Sequence, residues 1–147
     1  MVSKKQRLIP ATSQARDAAI HLLRENNLPV SDLDEAKHLF VLKENNEVVG
    51  TGGLEFFHTC ALLRSIAVAK QLQGAGIGKT ISGQLEEIAR QKGIEDLYLL
   101  TNTAENFFKK QGYEAISRND VPGDIRTTSE FSMVACASAI VMRKKIQ

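Results

Sequence analysis

The stretch Gln73-Gly74-Ala75-Gly76-Ile77-Gly78-Lys79-Thr80 decides how the rest of this chain is interpreted. Its three glycines lie between an apolar run at residues 62–68 and a segment of helical periodicity. Glycine allows a sharp turn and lets backbone N–H groups approach a bound anion. The helix that follows adds the positive end of its dipole at the same point. The sequence therefore predicts a loop that binds a phosphate group.

Two nucleotide-binding patterns fit this loop incompletely. The P-loop pattern G-x-x-x-x-G-K-[ST] matches Gly78-Lys79-Thr80, but its first glycine would fall on Gln73. The dinucleotide pattern G-x-G-x-x-G fits Gly74 and Gly76 and fails at Lys79. A third pattern, Gln/Arg-x-x-Gly-x-Gly/Ala, is met at residues 73–78 without a mismatch. A glycine-rich turn without a ligand is the remaining alternative, so the rest of the chain must decide.

Composition limits the class of protein. The 147 residues predict a single domain over residues 1–147. A net charge of +2 argues against nucleic acid as a partner, and the chain lacks an apolar run long enough for a membrane span. Cys60 and Cys136 lack metal-ligand spacing and the three histidines are scattered, so we expect buried thiols, no metal site and a cytoplasmic setting.

Apolar periodicity and turn signals predict alternating strands and helices. The predicted strands cover residues 7–10, 38–43, 47–57, 60–69, 94–101, 113–116 and 137–143. The predicted helices begin at Thr12 or Ser13, at Ser31, after the glycine loop and at Asn102 or Thr103, and residues 117–130 are predicted to be a polar loop. Short connections make residues 38–69 an antiparallel meander, and the whole order predicts an α/β fold with a mixed sheet. Gly50, Gly52 and Gly53 inside one strand predict a bulge or a ligand close to the backbone.

Over almost its whole length the chain resembles the GCN5-related N-acetyltransferase (GNAT) family. Three parts carry the resemblance in the right order: residues 63–68, the glycine loop, and Asn106 to Gly112-Tyr113. The resemblance implies a mixed, mostly antiparallel sheet of six to seven strands with about four helices. Residues 61–68, 97–108, 126–131 and 136–139 are also similar to the arsenic-resistance branch, which is related to enzymes that acetylate amino acids and phosphinothricin-like or arsinothricin-like analogues.

The resemblance implies that acetyl-coenzyme A (acetyl-CoA) is the cofactor and that a primary amine receives the acetyl group directly. The implied pyrophosphate site is formed by Gln73, Gly74, Ala75, Gly76, Ile77, Gly78, Lys79 and Thr80. The implied pantetheine site is formed by Ile66, Ala67 and Val68, with Asn102, Asn106 and Phe108 near the same arm. Sheet packing is an equally good explanation of Ile66 and Val68. A helix cap at Asn102 and an exposed helix face at Asn106 are the alternatives there.

The candidate catalytic and substrate-binding residues are assigned from the chemistry of their side chains. Glu55 is the first choice for the base that takes the amine proton, and His58 is the second. Many family members have a tyrosine four residues before the glycine at 112, and that position is Phe108 here, which cannot give a proton to the leaving thiolate. Arg64 lies in an otherwise apolar strand, and together with Arg126 and Thr128 it predicts a site for a carboxylate. A salt bridge at Arg64 and a solvated loop at Arg126 are the alternatives.

Three functions remain possible from the sequence. The first is N-acetylation of a small amino acid, which needs a small-molecule amine and acetyl-CoA as partners and is compatible with a homodimer. The second is a non-catalytic coenzyme A-binding sensor, which the missing tyrosine favours. The third is a P-loop nucleotide binder, for which the chain lacks an apolar strand that ends in a magnesium-binding aspartate.

Overall fold

A computed structural model describes residues 7–28, 30, 38–128 and 139–147. Within these ranges, seven strands form one sheet in the order β1-β2-β3-β4-β5-β7-β6. The strands are β1 (Ile9–Pro10), β2 (His38–Glu44), β3 (Glu47–Phe57), β4 (Cys60–Val68), β5 (Asp96–Thr101), β6 (Glu114–Ile116) and β7 (Ile140–Lys145). The helices in the described ranges are α1 (Ser13–Glu25), α2 (Ile77–Gln91), α3 (Glu105–Lys110) and α4 (Gly123–Arg126). None of these helices is long and apolar enough to span a membrane.

The predicted antiparallel meander is confirmed in β2, β3 and β4. Asn45 and Asn46 both have positive φ, 53° and 66°, in the two-residue turn between β2 and β3. This conformation matches the twist of paired strands, and asparagine tolerates it better than most residues. The next strand pair differs, because β4 runs parallel to β5 and pairs with it only from Cys60 to Leu62. Beyond Leu62 the two strands separate.

Helices cover both faces of the sheet. On one face α2 packs on β3 and β4, where Ile81 and Leu85 are fully buried in the largest core cluster. On the other face α1 packs on β2 and β4 through a second cluster, which includes Leu23 and Val41. A third cluster places Ile125 of α4 with Leu62, Tyr98 and Val141. The predicted fold class, a mixed and mostly antiparallel sheet with helices on both sides, is therefore confirmed.

Glycines in β3 allow α2 to approach the sheet closely. A Cβ added at Gly50 would lie 2.6 Å from Ile81 Cδ1, and one added at Gly52 would lie 2.7 Å from Leu85 Cδ1. Both distances are too short for real atoms, so a larger residue there would push the helix away. The alternative of a ligand against these glycines is therefore wrong for Gly50 and Gly52, which face α2. The predicted bulge in β3 is present at Val49, which is extra where β3 pairs with β2. A second shift lies between Thr51 and Gly53, where β3 pairs with β4.

The shift in pairing between β3 and β4 is a bulge that places one extra residue in β4. Thr51 pairs with Ala67 and Gly53 pairs with Arg64, so Ser65 and Ile66 both lie opposite Gly52. Ser65 has a φ of 59°, which is unusual for a residue with a side chain. The Thr51 hydroxyl donates a hydrogen bond of 2.7 Å to the carbonyl oxygen of Ser65 and holds this conformation.

Other sequence predictions differ in detail. Thr12 precedes α1 but makes no side-chain cap, and α3 begins after Ala104, whose N–H donates to Thr101 Oγ1 at 3.0 Å. The predicted polar loop contains α4 and the buried Val121, because apolar side chains at this point cover β5 and β7. The helix predicted from Ser31 and the thiol of Cys136 lie outside the described residues.

Candidate active site

A cleft of about 1020 Å³ opens where β4 and β5 separate. Five parts of the chain form its walls: the end of α1, the free edge of β4, the glycine loop, the end of β5 and the first turn of α3. The residues that line it include Glu25, Asn26, Asn27, Leu28, Leu63, Arg64, Ser65, Ile66, Ala67, Val68, Lys70, Gln73, Gly74, Gly76, Gly78, Lys79, Leu99, Thr101, Asn102, Thr103, Phe107, Phe108 and Ala139. The cleft thus brings the phosphate loop and the apolar strand before it to one site.

The glycine loop has a backbone that exposes amides to the cleft. Gly74 and Gly76 have φ of 89° and 86°, the left-handed region that side chains disfavour. Gly76 is the N-cap of α2 and makes no side-chain cap, so the first amides of the helix have no acceptor within the helix. Gly78 faces the Phe107 ring, whose Cζ would lie 3.4 Å from an added Cβ. These features fit a bound pyrophosphate.

The side chain of Gln73 connects this loop to two other elements. Its Nε2 donates to the Val68 carbonyl oxygen at 3.1 Å and to Asn26 Oδ1 at 3.2 Å. The end of β4 and the end of α1 are therefore held to the start of the loop. No local pattern in the sequence points to Asn26 as part of the site, because Asn26 and Gln73 are 47 positions apart.

Among the described strands, none lies beside β4 after Leu62 at the edge that faces the cleft. On its other edge β4 pairs with β3 through Ala67 and Val68. The exposed edge offers backbone groups to an extended ligand, as an additional strand would require. Ile66, Ala67 and Val68 all line the cleft at this edge.

Arg64 brings a charge into the apolar part of the site. Its side chain is 1% exposed and its Nη1 lies 3.4 Å from Glu55 Oε1, whose side chain is 13% exposed. Arg64 lines the cleft, whereas Glu55 lies behind it on β3. Both side chains are on the face of the sheet that carries α1 and α4, since they share that face with Leu62.

The sequence model of the acetyltransferase (GNAT) family matches residues 7–113. The chain belongs to this family. Acetyl-CoA is the family's cofactor, so the match supports it, rather than a nucleotide, as the ligand of the glycine loop.

Other GNAT proteins extend this comparison. An uncharacterised N-acetyltransferase of Chlorobaculum tepidum is 27% identical over 94 residues, 63% of this chain and 60% of that protein. The chain thus spans about three fifths of that relative's length. An amino-acid acetyltransferase of Mycobacterium tuberculosis is 31% identical over 123 residues, 80% of this chain and 69% of the relative. The structure of N-acetylglutamate synthase from Neisseria gonorrhoeae, complexed with coenzyme A and N-acetyl-glutamate, shares the fold with a TM-score of 0.83 at 18% identity, over 99% of this chain and 36% of that one.

Neither tyrosine of this GNAT chain lines the cleft. Phe108 lines it instead and packs edge-to-face on Tyr113. The Tyr113 hydroxyl donates to Glu86 Oε2 at 3.3 Å, and burial, followed by the Glu86 charge and this hydrogen bond, raises the pKa of the phenol. Tyr98 lies in the cluster under α4, where burial raises its pKa.

Several predicted site residues lie beside the cleft rather than in its wall. Ile77 is buried in the core under α2, and the Thr80 hydroxyl donates to the Gly76 carbonyl oxygen at 3.2 Å. Thr128 is buried and donates to the Ile125 carbonyl oxygen at 2.7 Å. Ala75, Asn106 and Arg126 are exposed and are absent from the lining residues described above.

Proposed function

We propose that this chain is an acetyl-CoA-dependent N-acetyltransferase that transfers acetyl directly to the primary amine of a small amino acid or amino-acid analogue. One observation carries the proposal: a buried guanidinium, that of Arg64, lines the same cleft as the glycine loop. The loop suits the pyrophosphate of the cofactor, and the guanidinium suits the carboxylate of an amino acid.

The residues of the cleft fit the cofactor. The amides at the start of α2 and Lys79 would hold the pyrophosphate, and the free edge of β4 would pair with the pantetheine arm. An amide of Ile66 or Val68 would donate to the carbonyl oxygen of the thioester and stabilise developing negative charge. Bound acetyl-CoA supplies the thioester that the amine attacks.

The acceptor would lie on the α1 and α4 face of the sheet, beside Arg64. A planar guanidinium binds a carboxylate through two parallel hydrogen bonds. Glu55 is next to it, and we assign Glu55 to take the proton of the amine. The amino-acid acetyltransferase of M. tuberculosis supports this substrate class, as does the similarity to the arsenic-resistance branch, whose amino-acid analogues carry the same carboxylate and amine.

Release of free coenzyme A thiol from acetyl-CoA tests this proposal across an amine panel. The panel holds glutamate, aspartate, phosphinothricin, arsinothricin, an amine without a carboxylate and a peptide with a free N-terminus. We expect turnover with α-amino acids and little with the amine that lacks a carboxylate. If no amine of the panel causes thiol release while acetyl-CoA still binds, the result would favour the coenzyme A-binding sensor instead.

A single substitution tests the assigned base. Glu55→Gln keeps the size of the side chain and removes its ability to accept a proton. We expect turnover to fall on the order of 10²-fold while acetyl-CoA affinity stays nearly unchanged. Unchanged turnover would remove Glu55 from the mechanism.

A further inference from the structure

Ser65 has an unusual backbone at the point where the cleft begins. It follows the last residues that pair β4 with β5, is 9% exposed and lines the cleft. Its φ of 59° is costly for a serine, and such strain is kept where the surrounding structure fixes it. Strained residues concentrate at functional sites, and Ser65 is a strained residue that lines the cleft.

The hydrogen bonds around Ser65 orient its hydroxyl. Arg64 Nε donates to Ser65 Oγ at 3.4 Å, and the Ser65 carbonyl oxygen is held by Thr51. A cation that donates to the oxygen makes the hydroxyl a better proton donor and directs its proton away from Arg64. The carboxylate of Glu55 pairs with the same guanidinium.

Among the described residues that line the cleft, few groups at this end can give a proton. Phe108 has none, and neither tyrosine lines the described part of the cleft. Thr101 Oγ1 accepts the N–H of Ala104 at the start of α3. Lys70 and Lys79 lie at the glycine-loop end, beyond the end of β4. A ligand that extends from the loop along β4 reaches Ser65 at its far end.

We propose that Ser65 is a catalytic residue that relays the proton from the reacting amine to the leaving sulfur. This inference rests on the proposed transferase function. As the N–C bond forms and the C–S bond breaks, Ser65 gives its hydroxyl proton to the sulfur, which keeps the electron pair of the C–S bond. In the same step the Ser65 oxygen takes the second proton that the nitrogen loses, since Glu55 takes the first one when the ammonium becomes the neutral amine. One proton thus moves from nitrogen to sulfur, and the serine ends unchanged.

Two variants separate the hydroxyl from the backbone. Ser65→Gly removes the hydroxyl and accepts a positive φ, whereas Ser65→Ala removes it in a conformation that alanine disfavours. Because Ser65 would act only in the proton transfer, we expect kcat to fall on the order of 10²-fold in Ser65→Gly. The KM for acetyl-CoA should stay close to that of the unmodified protein. Thr101→Val is the comparison variant, since it removes the other buried hydroxyl among the described lining residues, together with its bond from the Ala104 N–H.

A binding measurement tests the contact without turnover. A hydroxyl that donates to sulfur binds the thiolate of free coenzyme A more tightly than the thiol, so affinity should increase as pH rises through the thiol pKa of about 8.5. Calorimetric titration should show this increase in the unmodified protein and a roughly 10-fold smaller gain in Ser65→Gly. A coenzyme A analogue with hydrogen in place of the thiol should bind both proteins equally at every pH.

The outcomes are distinguishable. An unchanged pH dependence of coenzyme A binding in Ser65→Gly, or full kcat in that variant, would overturn the role of Ser65. If only Thr101→Val loses the pH dependence of coenzyme A binding, the hydroxyl that contacts the sulfur is that of Thr101 instead. If the amine panel is silent with the unmodified protein, the transferase proposal fails, and the proton relay fails with it even where the binding difference is seen.

Discussion

The guanidinium of Arg64 and the carboxylate of Glu55 meet at 3.4 Å on neighbouring strands, with almost no exposure on the arginine side. Removal of one partner from a buried pair leaves the other charge without that compensation, which is more costly than removal of both. The pair therefore links the stability of the sheet to the charge of the proposed acceptor site.

Arg64→Gln should lower the free energy of unfolding by roughly 3 kcal/mol, because it leaves the Glu55 carboxylate uncompensated. The double variant Arg64→Gln with Glu55→Gln should cost less than the sum of the single variants. Urea denaturation of the four proteins measures the coupling. Additive costs would show that the two side chains do not interact.

Gly52→Ala should destabilise the protein by about 1–3 kcal/mol, because the new Cβ would lie 2.7 Å from Leu85 Cδ1 and 2.8 Å from Ile81 Cγ2. Gly83→Ala is the control on the exposed side of α2, where an added Cβ meets no atom within 4 Å. That variant should gain about 0.5–1 kcal/mol from helix propensity. Urea denaturation compares them, and an equal effect of the two would contradict the close approach of α2.

Gly76→Ala should weaken acetyl-CoA binding, because alanine disfavours the φ of 86° that directs the loop amides to the cleft. Gly93→Ala is the matched control: its φ is 81°, its added Cβ also meets no atom within 4 Å, and it lies after α2, away from the cleft. Both should lose about 1 kcal/mol of stability. Only Gly76→Ala should raise the Kd of acetyl-CoA in calorimetry.

The Tyr113→Phe variant should lose stability less steeply than the unmodified protein as the pH rises into the alkaline range. The pKa of Tyr113 is raised above its ordinary value of 10.0, so the folded state holds the phenol proton more tightly than the unfolded state does. Its contribution is complete below about pH 10 and is lost as pH rises towards the folded pKa. Thermal unfolding between roughly pH 9 and 11 measures the slope. Because the pKa of Tyr98 is raised as well, part of the slope should remain.

Local signals made the fold predictable. The Asn45-Asn46 turn and the glycine loop are set by backbone preferences of neighbouring residues, so the meander and the loop before α2 follow from the sequence. Apolar periodicity and turn signals predicted the order of the remaining elements, and the family resemblance agreed with that order. Strand and helix ends shifted by a few residues, as at β5, which begins at Asp96.

Contacts between distant residues could not be predicted in the same way. The approach of α2 to Gly50 and Gly52, and the bond between Gln73 and Asn26, depend on how elements pack after they form. Arg64 was the exception, since a charge in an apolar strand signals a partner or an opening. The sequence left both possibilities open, and the structure contains both, Glu55 and the cleft.

The extra residue of the β4 bulge also reverses which side chains of that strand face each side of the sheet. Before it, Ala61 and Leu63 belong to the core under α2; after it, Ile66 and Val68 do, and Ala67 joins the cluster under α1. Odd-numbered positions thus change sides with even-numbered ones at Ser65. Deletion of Ser65 would join Arg64 directly to Ile66 and restore plain alternation, so both sets would keep their present sides, whereas an insertion, or a deletion after the bulge, would exchange them.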